Sequence, residues 1–304
     1  MGARKNPGNY RDLDGVLILD KPIGASSNQA LQRVRKLLRA RKAGHCGSLD
    51  PLATGVLPIC LGEATKFSSY LLGADKSYRA LCRLGQTTTT GDAEGDVLET
   101  SDLSVDIRQV EEVLPRFIGQ IDQVPPMYSA LKHEGRRLYQ LAREGKQVER
   151  PPRRIEIFEL QLLSFDGRDL EIEVSCSKGT YIRTLAEDIG KALGCGAHLA
   201  ALRRSRVGDF DESQSLTMEQ LQQADEVALE RHILPVDTTL AHFPEIVLNA
   251  ADSSDICCGK PLDASACEVV GLCRLKTEND RFIGLGEVAE NGQLKAKRLM
   301  NTAR

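Results

Sequence analysis

The chain has no tryptophan, and aromatic side chains make up only 4% of its 304 residues. Aromatic mass therefore cannot dominate the core, and each of the six tyrosines can be weighed individually. Long apolar runs are missing too, and none approaches the roughly 20 residues a membrane-crossing helix needs. The opening stretch MGARKNPGNYRDLDG holds no apolar signal core, so no secretory leader is expected and the cytosol is the expected compartment. A Walker loop, a GxGxxG, an HExxH and a serine or cysteine in a nucleophile motif are all absent. The inventory permits chemistry with no cofactor and no metal.

Nine cysteines are present, an odd number in no framework, which argues against a disulfide-built secreted fold. Cys257, Cys258, Cys267 and Cys273 form the one cluster, but they lack the CxxC knuckles of a structural zinc site. They are expected to be buried or half-buried free thiols. Asp92-Ala-Glu94-Gly-Asp96 resembles a calcium loop only superficially. An EF-hand needs glycine at its sixth position, which here is Val97.

What the chain does have is a composition of 41% hydrophobic and 27% charged residues, ample for a core, and a length that suggests two domains. The net charge of −3 conceals a separation of sign. Arg33, Arg35, Lys36, Arg39, Arg41 and Lys42 form a run without an acid, and the segment from Lys132 to Arg154 has eight basic residues against three acids. Acids gather at Asp92 to Glu99 and at Glu219 to Glu230. Such a chain can turn a basic face to phosphates, although most charge runs are simply solvated helix faces.

Residues 15–21 read as a short buried strand, followed by N-cap candidates Ser26, Ser27 and Asn28. Leu31, Val34, Leu37 and Leu38 give the ensuing helix its apolar stripe. Residues 43–58, punctuated by glycines and prolines, read as a long loop. Tyr78 to Leu84 reads as a strand and Thr87 to Asp96 as its turn, in an αβ block running to about residue 120. Residues 124–154, bracketed by proline pairs and carrying Tyr128 and Tyr139, read as an inserted basic arm able to close over a ligand. Leu170, Ile172, Val174 and Cys176 alternate with polar residues as a half-buried strand does. Thr180 is then expected to cap a helix with Ile182, Leu185, Ile189 and Leu193 inward, ended by Gly194 and Gly196. Beyond about residue 245 the texture becomes β-like, with a hairpin expected at Asn291-Gly292.

Four features could carry chemistry. Asp50 precedes Pro51 in the glycine-punctuated loop, where proline steers it away from helical backbone; loop aspartates are also common surface punctuation. His45 could be a base, a stacking group or a core histidine. Arg183 falls in the first turn of its helix, where the macrodipole disfavours a cation. It could hold a carboxylate ionised and lower its pKa, or simply face solvent. Tyr78 and Tyr181 could fill the core or stack on a nucleobase.

Taken together, these residues resemble the TruB family of bacterial tRNA pseudouridine-55 synthases. The similarity is carried by Gly15-Val-Leu-Ile-Leu-Asp20-Lys21-Pro22, by Gly44-His-Cys-Gly-Ser-Leu-Asp50-Pro-Leu-Ala-Thr-Gly55, and by Gly62-Glu-Ala-Thr-Lys66. It continues through Lys76-Ser-Tyr78, Cys176-Ser-Lys-Gly-Thr-Tyr181-Ile-Arg183-Thr and Leu202-Arg-Arg, essentially end to end. Cys46 stands where threonine is usual in the family, at a position that varies, as does that of Ser48.

The resemblance implies an α+β fold, with a mixed, mainly antiparallel sheet flanked by helices in a catalytic domain over residues 10–244. A small β-barrel-like PUA domain is implied over 245–304. It implies isomerisation of uridine 55 in the T-loop of tRNA to pseudouridine, with no cofactor, no metal and no obligate protein partner. Asp50 matches the family's nucleophile and Arg183 the arginine paired with it. His45, Tyr78, Tyr181 and Leu202 match positions lining the target base, while Lys21 and Lys66 take supporting parts. A carboxylate adduct would split the transfer from N- to C-glycoside into smaller steps, and the base must first be flipped out of its stack. Tyr78, or a water it holds, is a candidate to take the C5 proton. Two other classes compete: a non-catalytic RNA-binding or RNA-remodelling protein using the same surface, and a nucleoside hydrolase. The first has no use for Asp50, and the second none for a basic arm.

Overall fold

The computed structural model describes residues 10–301. The hydrophilic opening at residues 1–9 and the last three residues of the expected C-terminal domain lie outside the described residues. Among these, no helix is long and apolar enough to cross a membrane.

The strand expected at the start forms over Gly15–Lys21 (β1). It is apolar on both sides because both faces are covered. Leu17 and Leu19 pack with Ala30, Leu31 and Val34 of helix α1 (Ser27–Leu37), while Val16 and Ile18 meet Phe67 and Phe210 on the other face. Of the three N-cap candidates, Ser26 caps α1 in a capping box with Gln29. Ser27 is buried and serves the site instead.

The long loop expected over 43–58 is mostly sheet. Ala43–His45 (β2) and Ala53–Leu61 (β3) pair with each other, and β3 also pairs with β1 along its whole length. Gly55 and Pro58 suggested a loop, yet tertiary packing overrides them. Gly55 (φ +100) sits where a Cβ would meet the Arg204 carbonyl at 2.2 Å, so glycine there permits two backbones to touch. Pro58 is a buried strand residue opposite Ile18. Only residues 46–52 remain as loop.

Lys76–Leu84 (β4) lies centrally. The hairpin partners Gly119–Gln123 (β5) and Arg153–Phe165 (β6) enclose the basic segment, which leaves at Gln123 and returns opposite it at Arg153. Within that segment Lys132–His133 pairs with Arg136–Arg137, and Leu138–Arg143 is helical. Asp169–Cys176 (β7) buries Leu170, Ile172, Val174 and Cys176 as the alternation requires. Helix α2 (Ile182–Ala192) lays Ile182, Leu185 and Ile189 on the same core. Ala197–Val207 (β8) completes a nine-stranded sheet whose main path runs β1-β3-β8-β4-β7-β6-β5, with β2 beside β3 and the short strand Phe210–Asp211 beside β8. Its pairings are antiparallel except β8 with β3, so the expected α+β class with a mixed, mainly antiparallel sheet is what forms.

A second sheet of five strands spans Glu245–Leu299 around its own core, and its hairpin turns at Gly292 (φ +77). It meets the larger sheet through Phe67 and Phe282, edge to face at 5.5 Å, and through the Lys66 ammonium, which donates to the Leu299 carbonyl at 3.1 Å. The clustered thiols differ from expectation. Cys257, Cys258 and Cys267 are exposed and only Cys273 of the four is buried; the first two sit at the end of the helix Ala250–Cys257, which buries Ile256 and leaves its C-terminus in solvent.

Candidate active site

The loop 46–52 is fixed before any side chain acts. The Ser27 hydroxyl accepts from Leu49 N–H at 2.7 Å and donates to the Leu49 carbonyl at 3.0 Å. Gly24 N–H reaches the Pro51 carbonyl, Cys46 N–H the Pro58 carbonyl, and Ala53 N–H the Asp50 carbonyl itself. Gly47 takes φ +85, and its carbonyl accepts from Arg204 Nη2 at 3.1 Å. Asp50 is thus held on a rigid turn at the meeting of β2, β3 and α1, where preorganisation is available without further ordering.

Opposite stands Arg183. It occupies the first turn of α2, as the sequence predicts, and is 6% exposed. Its guanidinium reaches the Asp50 carboxylate at 3.1 Å and that of Asp92 at 3.4 Å. It also donates to the carbonyls of Thr90 at 3.1 Å and Tyr128 at 2.6 Å. The helix start beneath it is capped differently from expectation. Thr180 gives its hydroxyl to the Ser177 carbonyl, and Tyr181 is the N-cap residue without a side-chain cap of its own. Gln123 of β5 substitutes, accepting from Tyr181 N–H at 2.7 Å and donating to the Tyr181 carbonyl at 3.1 Å.

The electrostatics reverse one expectation. Arg183 does pull the Asp50 carboxyl down, but burial pushes it up by more, and Asp92 adds to that rise while Lys21 opposes it. The outcome lies above the ordinary carboxylate value. The Asp50 side chain is 49% accessible, so this is the desolvation of a cleft wall rather than of a sealed core. Lys21, fully buried, donates to the carbonyls of Pro22 and Ala25, and burial lowers its ammonium to about 8 despite the attraction of Asp50.

Asp50 borders two recesses. One, of about 310 Å³, is lined by Tyr78, Tyr181, Leu202 and Arg183, bringing five of the six expected site residues together around one cavity. Tyr78 is 8% exposed, and burial raises its phenol, opposed chiefly by the charge of the neighbouring Arg204 guanidinium. Burial likewise raises Tyr181. The other recess, of about 760 Å³, holds the sixth residue, His45, with Asp50 and the arm residues Arg137, Tyr139 and Arg143. Burial, then Arg204, lowers the His45 imidazole, and its Nδ1 is buried with no hydrogen-bond partner. The Arg143 guanidinium lies 5.6 Å from the Tyr139 ring centre.

The two basic runs part company. Arg39 pairs with Glu226, Arg41 with Asp12 at 2.8 Å, and Arg35 with the backbone carbonyls of Ala40 and Arg41. Half of the first run therefore works inside the chain, whereas the arm places Arg137 and Arg143 in the recess that Asp50 borders. Sequence reasoning missed Asp92 and Arg204. Asp92 stands out only as the first acid of the rejected calcium-like run, whereas Arg204, part of the Leu202-Arg-Arg motif but without an assigned role, follows Leu202 by two residues on a strand and so shares its inward face.

A carboxylate, an arginine and a tyrosine stand around a cavity large enough for a nucleobase, with further arginines beside it, the arrangement expected from the resemblance to pseudouridine synthases. The family model described as TruB family pseudouridylate synthase (N-terminal domain) matches residues 35–182. The model described as tRNA pseudouridylate synthase B C-terminal domain matches residues 183–241, and that described as pseudouridine synthase II TruB, C-terminal, matches residues 244–300. The chain is 52% identical over 296 residues to tRNA pseudouridine synthase B of Stutzerimonas stutzeri, covering 96% of this chain and 97% of that one. It is also 52% identical over 293 residues to the enzyme of that name from Methylobacillus flagellatus, with the same coverage. Its fold matches, at a TM-score of 0.72 and 27% identity, an H/ACA RNP bound to a substrate RNA containing 2′-deoxyuridine, over 94% of this chain and 85% of that one. The chain belongs to the TruB family and is a pseudouridine synthase, its C-terminal sheet being the PUA-like part.

Proposed function

We propose that the enzyme isomerises uridine 55 in the T-loop of tRNA, through a covalent adduct of Asp50. The observation that carries this reading is the Asp50–Arg183 pair, 3.1 Å apart, on the wall of a cavity floored by Tyr78 and Leu202. The substrate class follows the relatives, whose names specify tRNA. The reading includes a cytosolic enzyme of two domains, 10–244 and 245–304, with the arm 124–154 closing over the RNA.

In the reaction the N1–C1′ bond breaks and a C5–C1′ bond forms, while a proton leaves C5 and N1 gains one. Arg183 keeps Asp50 in its anionic form, and partial burial strips that anion of water, which makes it a better nucleophile. Attack at ribose C1′ gives an aspartyl–ribose adduct and attack at uracil C6 an aspartyl–uracil adduct, and either is the covalent intermediate of this reading. The flipped uracil packs on Tyr78 between Tyr181 and Leu202. His45, kept neutral by burial, takes the place the base leaves in the stack. Tyr78, beside Arg204, receives the C5 proton directly or through a water.

The experiment is to incubate the protein with an unmodified tRNA transcript and map pseudouridine, comparing wild type with Asp50→Ala. Product at position 55 from wild type alone is expected. Product from Asp50→Ala would refute the nucleophile, and no product from either would favour a binding or remodelling protein.

A further inference from the structure

Two cations lie at the uracil cavity with no anion to answer them. Lys76 and Arg204 both line it and are 7% and 1% exposed. Their hydrogen bonds go to neutral groups. The Lys76 ammonium donates to the carbonyls of Leu72 at 3.1 Å and Ala74. Arg204 donates to those of Val56 at 2.8 Å and Gly47 at 3.1 Å, and lies beside the Tyr78 phenol. Among the described residues no carboxylate lies within ion-pair distance of either. Burying a cation without a counter-charge is expensive, and an apolar side chain at position 76 would pack there at lower cost. A cation retained at such a place fits a negative charge that arrives with the substrate.

Uracil brings such a charge only in passing. On the ribose route, an Asp50 oxygen bonds to C1′ as the N1–C1′ bond breaks, and that bond's electron pair stays on the ring, spread over N1, O2 and O4. When C5 bonds to C1′ the pair enters the new bond, and the C1′–O bond to Asp50 breaks, its electrons returning to the carboxylate. The C5 proton then leaves to a base and N1 takes one up. The ring is neutral in substrate and product and anionic only between them. Groups that favour the anion over the neutral ring lower the barrier instead of merely tightening binding. We propose that Lys76 is a catalytic residue whose ammonium, with Arg204 beside it, holds the negative charge of the uracil ring while the ring is detached from the ribose. The proposal rests on the reaction assigned above to Asp50, whose carboxylate borders the same cavity.

The test is single-turnover conversion of a tRNA transcript carrying either uridine or 5-fluorouridine at the target, followed as loss of the target N-glycoside. Fluorine makes the uracil ring more acidic, so its anion needs less help. Lys76→Met should slow the uridine substrate about 100-fold, the usual effect of removing one charge-stabilising donor. Its deficit on 5-fluorouridine should be about 10-fold or less, and Lys76→Arg should recover most of the uridine rate. A purely structural role would slow both substrates equally, because a misfolded fraction is blind to the leaving group, and that result would overturn the proposal. Lys76→Met at the wild-type rate beside an inactive Asp50→Ala would overturn it alone. Wild-type protein inactive on the transcript would bring down the substrate assignment and this proposal with it.

Discussion

Asp92 Oδ2 lies 3.4 Å from Nη1 of Arg183, so the guanidinium that pairs with Asp50 is shared with a second, almost fully buried carboxylate. Thr90 Oγ1 and Glu94 N–H both donate to Asp92, at 2.5 and 3.1 Å, which makes it a fixed anchor. Arg183 is thereby prevented from swinging with the substrate, while its charge is divided between two acids.

The consequence is a pH profile with a displaced acid limb. In the proposed mechanism Asp50 acts as the anion, and its carboxyl is raised by burial first and by Asp92 as well, against Arg183. Activity is therefore present above that raised pKa and lost as pH falls through it, at a pH above the ordinary carboxylate range. Asp92→Asn should move the limb to lower pH by removing a like charge. Arg183→Met should move it higher and cost roughly 100-fold in rate. Single-turnover rates from pH 4 to 8 would check both, and an unmoved limb in Asp92→Asn would exclude the coupling.

The cap supplied by Gln123 should matter for stability as well as catalysis. Gln123→Ala leaves Tyr181 N–H without its partner at the buried start of α2, which costs about 1–3 kcal/mol. Thermal unfolding should show a lower Tm, and the rate should fall with tRNA affinity nearly unchanged, because the helix start that carries Arg183 is loosened.

Gly55→Ala tests the backbone contact between β3 and β8. A Cβ there would sit 2.2 Å from the Arg204 carbonyl at a φ of +100. The expected loss is about 3 kcal/mol or more, since both the clash and the left-handed backbone penalise alanine. A variant as stable as wild type in denaturant titration would contradict this packing.

RNA affinity should fall with salt as phosphate counterions are released. Arg143→Ala, at the edge of the recess beside Asp50, should reduce the slope of log affinity against log salt by about one. Arg41→Ala should leave the slope unchanged, because that charge is paired with Asp12. Equal slopes for both variants would mean that the arm does not hold phosphate.

The residues alone fixed a good deal. The two-residue period from Leu170 to Cys176 and the three-to-four spacing from Leu31 to Leu38 depend on local geometry, and both elements form where the pattern puts them. Arg183 was legible because a cation in a first helical turn breaks a local rule. Asp50 was legible through its motif, and its five companions through the same family resemblance. Tertiary structure decided the rest. β3 runs through Gly55 and Pro58 because contacts with β1 and β8 outweigh turn propensity, and no local window contains those strands. Whether Arg183 lowers Asp50 below its ordinary value depended on burial and on Asp92, forty-two residues away in the chain. The sign of a pKa shift is a sum over everything nearby in space, so it became readable only once the chain had brought Asp50, Asp92, Lys21 and Arg183 together.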